Sequence, residues 1–353
     1  MLLPETLRLH NRDVFEFHYL YFLPWKDAMV EAIRTQGGRV TCIAARNNIE
    51  LVIKASAVAG YVRKNNIALV HAHLPWAGIV ARIVGKLTGI PIIYTEHNKQ
   101  ERYHWATRWA NLLTMNWLTR IIAVSEDVEV SIRKHRPFLR RPLQKILNGV
   151  NTERFAPDLF SGNPVRQLLN IPQNAPVIGT IAVFRSQKRL DLWIDIAKKI
   201  SVVKPDAHFI IVGDGPLRSV LEEKRIAHGM VDKIHFTGIQ TEVRPYLAAF
   251  NVYMMSSVFE GLPIALLEAM SSCCPPITTD AGGIKEIIRH DEDGLICSVD
   301  DPWQLVDFAM EILENDKKRK EFGIAARARV EENFSMVRMV RELEEIYRMI
   351  AIK

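Results

Sequence analysis

The second half of the chain alternates short apolar runs with amphipathic stretches, and this alternation limits the fold more than any other feature. Helical patterns such as residues 190–203 and 216–228 separate the runs. Runs this apolar, separated by helices, are typical of a parallel sheet that is covered on both faces. The sequence therefore predicts a doubly wound, Rossmann-like domain. The runs are VIGTIAVF (177–184), HFIIVG (208–213), KIHFTG (233–238), VYMMSS (252–257), PPITTD (275–280) and GLICSV (294–299).

The first half shows the same alternation less clearly. With 353 residues, the chain is long enough for two domains of ordinary size. A stretch rich in Pro, Asn and Gly, residues 151–176, predicts a linker between them. We therefore expect domains at 1–150 and 151–333, and a final helix, 334–353, that packs back on the first. The candidate strands of the first domain are 15–22, 39–44, 68–73, 91–96 and 120–125.

Composition restricts the class of protein without choosing a substrate. The formal net charge of +6 fits nucleic acid, an anionic membrane or a phosphorylated ligand. No basic motif interleaved with aromatic residues appears, so nucleic acid is not expected. No apolar run is long enough to span a membrane and no signal peptide is visible, so we expect a cytoplasmic protein. Four cysteines without a CxxC pair are expected to be reduced core residues: Cys42, Cys273, Cys274 and Cys297.

Two basic stretches, RKHRPFLRR (133–141) and KKRK (317–320), predict solvated faces. The first has an alternative interpretation, in which it meets anionic lipid or a phosphorylated acceptor. Peripheral contact with the inner face of the plasma membrane is therefore an open expectation.

The stretch FEGLPIALLE brackets a Gly, a Pro and an apolar run with two carboxylates, Glu260 and Glu268. Pro263 is typical of a helix start, so 264–270 is a predicted helix with Glu268 inside it. A fully helical rise would separate the carboxylates by about 12 Å, with the partly positive helix N-terminus between them. This arrangement suits a nucleotide-diphosphate sugar, with hydroxyls at both ends and phosphates between. The alternative is a pair of solvated or capping glutamates.

Two further clusters have competing interpretations. VHAH (70–73) and the strand end at Glu96 and His97 could form a metal centre, since His with carboxylate is an ordinary ligand set. That pattern would make the chain a metallohydrolase. Gly213 and Gly215 follow a predicted strand, but no third glycine completes a dinucleotide fingerprint. They more simply allow a tight turn from strand to helix.

The order and spacing of several motifs over residues 60–345 resemble the glycosyl transferases group 1 family, which comprises retaining enzymes of the GT-B fold. FEGLPIALLEAM is similar to the family's E-x7-E signature. The other matching segments are FIIVGDGPLRSVLE (209–222), ILNGVNTERFAPD (146–158), DAGGIKEII (280–288), DGLICSVDDPWQL (293–305), LVHAHLPWAGIVARIVGKLTGIPIIYTEHN (69–98) and IIAVSEDV (121–128). The resemblance implies an α/β fold with two Rossmann-like domains that face each other across a cleft.

The same resemblance implies a reaction and residue roles. A hexose would pass from a nucleotide-diphosphate sugar to a hydroxyl of a growing polysaccharide or lipid-linked saccharide, without a metal. Glu268 would bind the ribose, Glu260 and His97 the sugar, and Lys188 the diphosphate. The family's partner arginine lies five positions before this lysine, where Val183 stands, so Arg185 is expected to take its role. The remaining predicted substrate-binding residues are Gly261, Leu262, Pro263, Gly213, Gly238 and Asn148.

The opening segment MLLPETLRLHNRDVFEFHYLYF resembles the family's second strand region. We therefore expect the family's first strand and its Gly-Gly loop to be lacking. This feature supports an alternative function, a catalytically impaired GT-B scaffold that binds nucleotide or a partner protein.

Overall fold

A computed structural model describes residues 2–157 and 159–351. Asp158, which ends the segment ILNGVNTERFAPD, and residues 352–353 of the predicted final helix lie outside the described residues. The chain divides into two compact units. The first comprises the residues up to Asn148 and those from Met336 onward, and the second is Gly149–Ser335. Sequence had placed the corresponding boundaries at 150/151 and 333/334.

The first unit contains six short strands and eight α-helices among its described residues. The strands are β1 (His18–Tyr21), β2 (Arg39–Cys42), β3 (Val70–His73), β4 (Ile92–Glu96), β5 (Arg120–Ala123) and β6 (Leu143–Lys145). The helices are α1 (Leu2–Leu9), α2 (Val30–Thr35), α3 (Asn48–Ile53), α4 (Ala55–Lys64), α5 (Pro75–Thr88), α6 (Trp105–Thr114), α7 (Glu126–His135) and, from the end of the chain, α16 (Met336–Ala351). Two 3-10 helices, Gln100–Arg102 and Met115–Trp117, flank α6.

The strands of the first unit pair in parallel, as predicted, but form two separate sheets. β1 pairs with β2, and the second sheet has the order β3-β4-β5-β6. β4 is buried along its whole length because side chains cover both of its faces. Tyr94 packs toward a cluster with Met115 and Val128, whereas Ile93 packs toward Met339 of α16. This two-sided burial explains why the strand sequence is continuously apolar.

The second unit contains strands β7 (Val177–Ile181), β8 (His208–Val212), β9 (Ile234–Phe236), β10 (Val252–Met255), β11 (Pro276–Thr279) and β12 (Leu295–Cys297). Its helices are α8 (Asn163–Leu168), α9 (Leu190–Val203), α10 (Arg218–Ala227), α11 (Arg244–Ala249), α12 (Ile264–Ser271), α13 (Ile284–Ile287), α14 (Gln304–Glu314) and α15 (Asp316–Asn333). A 3-10 helix spans Ser186–Lys188. All strand pairs are parallel, and the order is β12-β11-β10-β7-β8-β9.

This strand order fixes where the loops of the second unit meet. From β7 the chain adds β8 and β9 on one side, then returns to add β10, β11 and β12 on the other. The order therefore reverses between β7 and β10. In open α/β sheets, ligands bind outside the carboxyl ends of the strands at such a reversal. The loops that follow β7 and β10 are the ones that flank it here.

Two local predictions were wrong. The predicted linker, 151–176, contains α8, and Arg166 at its core donates to Ala175 O at 2.7 Å and to Ala249 O at 3.0 Å. The cysteines form no disulfide among the described residues, but Cys42 is exposed and Cys273 is only half-buried, so these two are not core residues. Residues 2–9 form a helix, α1, ahead of β1. No helix within the described ranges is long and apolar enough to cross a membrane.

Candidate functional site

A buried ion pair joins the two loops at the strand-order reversal of the second unit. Lys188 ends the 3-10 helix after β7, and Glu260 lies in the loop after β10. The ammonium Nζ of Lys188 lies 2.6 Å from Oε1 of Glu260. Ser257 Oγ donates to the same carboxylate oxygen at 2.6 Å. Glu260 is only 8% exposed, so these donors replace the water that its carboxylate would otherwise bind.

Backbone contacts hold these two loops in register. Ser256 Oγ donates to Lys188 O at 3.2 Å, and the Val258 amide donates to Gln187 O at 2.9 Å. Thr279 Oγ1, at the end of β11, donates to Ser257 O at 2.6 Å. The loops at the carboxyl ends of three neighbouring strands, β7, β10 and β11, therefore position the lysine and the glutamate. A site on loops that are bonded to the ends of strands is held more rigidly than a site on a loop without such contacts.

The position of Gly282 in the element DAGG has a structural explanation that needs no ligand. Its φ is +71°, a left-handed conformation that favours glycine. A Cβ there would lie 2.0 Å from the carbonyl oxygen of Glu260, so no other residue fits without moving the loop. This glycine lets the loop after β11 pack directly on the backbone of Glu260.

The two glycines of the GDG element pack in the same manner against the loop after β7. Gly213 has a φ of +127°, and a Cβ there would lie 2.0 Å from Ala182 O. A Cβ on Gly215 would lie 2.7 Å from the Phe184 amide nitrogen. The Gly213 amide donates to Gly238 O at 2.9 Å. The predicted tight turn is therefore present, and it also supports the loop that carries Lys188.

Glu268 lies one turn inside α12, half-buried, as the sequence predicted. Residues 260–263 are not helical, however, so the rise of a continuous helix does not describe the separation from Glu260. Pro263 is the N-cap rather than the first helical residue, and its side chain makes no capping hydrogen bond. Gly261 and Leu262 precede it. Burial raises the pKa of Tyr253 on β10, and the charges of Glu260 and Glu268 raise it further.

Arg185 differs from Lys188 although they are three residues apart. Its side chain is exposed, and its guanidinium makes no hydrogen bond or ion pair within the described part of the chain. The sequence-based role of Arg185 and those of Lys188, Glu260 and Glu268 stay predictions at this point. In the second unit Lys188 and Glu260 are in contact, and Glu268 lies on the helix that follows the loop of Glu260.

In the first unit, His97 follows β4 and belongs to a row of half-buried imidazoles. Its Nε2 lies 3.1 Å from Nδ1 of His73. His71, two residues earlier on β3, contacts the Tyr347 hydroxyl and Thr95 Oγ1, each at 2.7 Å. Burial lowers the pKa of His97 to about 4, and it lowers that of His71 to about 3 with help from nearby histidines. The row is therefore neutral near pH 7.

Glu96 ends β4 and is fully buried, yet its carboxylate receives six hydrogen bonds. Tyr94 and Tyr103 donate their hydroxyls at 3.0 and 2.5 Å, and Gln100 donates Nε2 at 2.7 Å. Asn111 donates Nδ2 at 3.0 Å. The remaining two donors are the amides of His97 and Asn98, at 3.0 and 3.4 Å. Glu96 therefore anchors the loop that carries His97.

This saturation bears on the alternative of a metal centre. Every strong acceptor position of Glu96 faces a protein donor, which leaves little capacity for a cation. Among residues 2–157 and 159–351, no group of three or more His, Cys, Asp or Glu side chains is arranged to hold a metal ion. The pattern of His71, His73, Glu96 and His97 instead builds a hydrogen-bonded support.

The sequence did not reveal the residues that donate hydrogen bonds to the carboxylates of Glu96 and Glu260. Gln100, Tyr103 and Asn111 are needed to satisfy Glu96, and Ser257 shares the carboxylate of Glu260. Nothing in their spacing marks them, because a donor to a carboxylate needs no fixed distance along the chain: Ser257 precedes its partner by three residues, whereas Asn111 reaches Glu96 from α6. Asn148, predicted from the interdomain motif, is the last residue of the first unit before the boundary, and it is buried.

Two protein-family models match the chain. The one described as Glycosyltransferase Family 4 matches residues 8–154, and the one described as Glycosyl transferases group 1 matches residues 163–329. Together they span both units.

Two relatives match across most of their length. The chain is 25% identical over 297 residues to UDP-Gal:alpha-D-GlcNAc-diphosphoundecaprenol alpha-1,3-galactosyltransferase of Escherichia coli, covering 81% of this chain and 76% of the relative. It is 28% identical over 307 residues to N-acetyl-alpha-D-glucosaminyl L-malate synthase of Bacillus anthracis, covering 83% and 77%.

The fold is also similar to solved structures. The crystal structure of Anabaena HepE in complex with UDP-glucose matches with a TM-score of 0.84 at 18% identity, covering 95% of this chain and 99% of that one. At this identity the likeness establishes the fold.

Proposed function

We propose, from the premise that this chain belongs to the glycosyl transferases group 1 family, that it moves a hexose with retention to a hydroxyl acceptor. The chain is a glycosyltransferase of the GT-B fold that uses a nucleotide-sugar donor. The hexose, the retention of configuration, the residue roles and the acceptor form the proposed part.

The observation that carries the residue assignment is the ion pair of Lys188 with Glu260, 2.6 Å apart at the strand-order reversal. The pair lies beside the N-terminus of α12, where the N-cap residue Pro263 makes no side-chain capping hydrogen bond. A cation and a helix N-terminus at one edge both favour a diphosphate. The neighbouring carboxylate would accept hydrogen bonds from the hydroxyls of the transferred sugar.

We assign to Lys188 and Arg185 the stabilisation of the negative charge on the leaving group. When the bond between the anomeric carbon and the diphosphate oxygen breaks, negative charge develops on that oxygen. A lysine already positioned by Glu260 stabilises this charge with little rearrangement. Arg185 is exposed and free of protein partners in the described chain, so its guanidinium can reach a bound phosphate. Two cations of this kind make a metal unnecessary, which is part of the proposal.

Glu268 would bind the ribose hydroxyls of the nucleotide. It lies half-buried on the first turns of α12, so its side chain position is set by a helix rather than by a mobile loop. A carboxylate accepts two hydroxyl hydrogen bonds in bidentate fashion, which suits the 2′ and 3′ hydroxyls of ribose. This role predicts an effect on nucleotide binding rather than on the choice of sugar.

The proposed reaction replaces one bond at the anomeric carbon on the same face. The bond to the diphosphate oxygen breaks, the acceptor oxygen forms the new bond, and the acceptor proton passes to the departing diphosphate. No side chain needs to act as a nucleophile. His97 is neutral near pH 7, because burial lowers its pKa to about 4, and it would exchange hydrogen bonds with the sugar hydroxyls.

The proposed acceptor is a growing polysaccharide or a lipid-linked saccharide. Support comes from the name of the Escherichia coli relative, whose acceptor is a sugar linked to undecaprenol through diphosphate. The identity of the sugar and of the base is left to experiment.

The test uses Glu268→Ala with Glu223→Gln, an exposed glutamate on α10, as the control. We expect Glu268→Ala to weaken nucleotide binding by about tenfold to a hundredfold, because charged hydrogen bonds contribute roughly 1.5–3 kcal/mol. Calorimetry with UDP, GDP and ADP measures the affinity, and NMR of the product reports its anomeric configuration. Equal affinity in the variant removes the assigned role, inversion contradicts the mechanism, and binding without turnover favours a scaffold.

A further inference from the structure

One face of α6 and the 3-10 helix after it is apolar and exposed. Trp105, Trp109, Leu113 and Trp117 recur every fourth residue, which places them in a row along one side of a helix. Their exposed fractions lie between 44% and 66%. The buried Asn111 and Leu112 of α6, together with Met115 of the 3-10 helix, fix this segment to the unit. Isolated exposed apolar residues are ordinary, but a row of three tryptophans is not.

A cluster of arginines lies at the end of this row. Arg136, Arg140 and Arg141, with Phe138 and Asn116, line a concavity of about 510 Å³. None of the three guanidiniums pairs with a carboxylate in the described part of the chain. Nε of Arg136 is buried and has no hydrogen-bond partner among those residues. Phe138 is 83% exposed at the tip of the same loop. Cations collected without counter-charges indicate a site for an anion.

Hydrogen bonds fix the arginine loop to the apolar row. Asn116, the residue before Trp117, accepts from the Arg140 amide through Oδ1 at 3.1 Å. Its backbone oxygen accepts from Arg141 Nε at 2.8 Å. Lys86 at the end of α5 lies over the Trp117 ring, 5.6 Å from its centroid. The aromatic row and the cations therefore form one continuous surface rather than two separate features.

The neighbouring basic residues on α7 behave differently. Arg133 pairs with Glu129, and both Lys134 and His135 lie near Glu101. Charge on α7 is thus largely balanced within the protein. The excess positive charge begins at Arg136, on the side where the exposed aromatic residues lie.

We propose that this Trp–Arg surface, formed by Trp105, Trp109, Leu113, Trp117, Phe138, Arg136, Arg140 and Arg141, docks on an anionic lipid bilayer. Tryptophan favours the boundary between headgroups and acyl chains, where its ring is half in an apolar medium. Leu113 and Phe138 insert beside it, and the arginines bind lipid phosphates. A protein partner would need a shaped counterpart, whereas a bilayer needs only this pairing of aromatic and cationic groups.

The experiment is co-sedimentation of the full chain with vesicles of phosphatidylcholine alone or mixed with phosphatidylglycerol, with no donor or acceptor present. Its outcome is therefore independent of the proposed reaction. We expect binding to the anionic vesicles, weakened by added salt. R136Q/R140Q/R141Q should weaken it about a hundredfold, since each basic residue near the surface contributes about tenfold or less. W105A/W109A/F138A should weaken it by at least about tenfold.

Matched controls test whether binding depends on this surface or only on the total positive charge and exposed apolar area of the chain. R46Q/K317Q/K320Q removes three exposed positive charges elsewhere, and W25A/L168A/I239A removes three exposed apolar side chains elsewhere. Both should bind vesicles as the unmodified chain does. Brominated lipid should quench tryptophan fluorescence more strongly in the unmodified chain than in W105A/W109A/F138A, which keeps only Trp117 of the three surface tryptophans.

Three results would overturn the proposal. The first is absence of binding to anionic vesicles. The second is binding that both surface variants retain. The third is a chain that does not bind vesicles and forms a dimer in sedimentation velocity, which W105A/W109A/F138A dissociates. The surface would then join two copies of the chain.

Discussion

The loop after β4 in the first unit and the loops after β7 and β10 in the second handle buried polar groups in opposite ways. Beside β4, one carboxylate, Glu96, is surrounded by neutral donors, and the adjacent histidines are held uncharged. Beside β7 and β10, Glu260 is matched by the charged Lys188, and the exposed Arg185 adds a further cation. The first arrangement suits hydroxyl groups, and the second suits a ligand that carries phosphate.

Glu96 and Lys188 should also differ in role, one stabilising the fold and the other taking part in the reaction. Glu96 satisfies its acceptors within the first unit and has no capacity left for a ligand, so its contribution should appear in stability. Lys188 has one carboxylate partner and two further ammonium protons, so its contribution should appear in the reaction. Substitutions in the two units should therefore change different measured quantities.

Lys188→Ala should give the largest effect. Removing a preorganised cation from a developing anion lowers kcat by about 10²–10³. Steady-state kinetics with the donor identified by binding measures this. Lys224→Ala is the matched control, because Lys224 forms a comparable pair with Asp195 at 2.5 Å on helices away from these loops. If both variants lose the same activity, the effect of Lys188 is structural and the contrast between the units fails.

Glu96→Gln should destabilise the first unit. Glutamine presents an NH2 group to donors that need an acceptor, so buried donors lose their partner at a cost of about 3 kcal/mol. Urea unfolding followed by circular dichroism measures the loss, and Glu31→Gln, at an exposed position on α2, should be neutral. The affinity of the folded variant for nucleotide should stay unchanged. A stable Glu96→Gln variant with impaired turnover would instead place Glu96 in the chemistry.

The histidine row should make stability depend on pH. The pKa of His97 is about 4 in the folded chain and near 6.5 when exposed, so the unfolded state binds more protons between these values. The contribution is complete above about pH 6.5 and is lost as pH falls toward 4. Each such histidine adds a slope of up to about 1.4 kcal/mol per pH unit.

H73N/H97N should flatten this dependence. The free energy of unfolding, measured by urea titration from pH 7.5 to 4.5, should fall less steeply than in the unmodified chain. His290→Asn, at an exposed position, serves as the control and should leave the slope alone. An unchanged slope in the double variant would mean that the row does not control acid sensitivity.

The alternation of apolar runs was sufficient to predict the parallel sheets, because two-sided burial leaves a strong signal in each strand. It could not predict β6, whose sequence LQK is short and half-buried, or the division of the first unit into two sheets. Pairing between strands depends on distant packing that a local pattern does not record.

For the site, too, local motifs could be predicted and contacts between distant residues could not. Glu260 and Lys188 were proposed from the sequence because each belongs to a recognisable local motif. Their mutual contact and the support of Ser257 and Thr279 were not, because 72 positions separate the ion-paired residues and strand order alone brings them together. The exposed row at Trp105, Trp109 and Leu113 is visible in the sequence, but burial is needed to tell it from a core face.

The most direct test of the donor site is a thermal shift screen of UDP-, GDP- and ADP-sugars on this chain in the presence of EDTA. The account predicts that one nucleotide family raises Tm, since a ligand at a hundred times its Kd stabilises the folded state by about 2.7 kcal/mol. Failure of every nucleotide sugar to raise Tm without metal would contradict a donor site built from Lys188, Glu260 and Glu268.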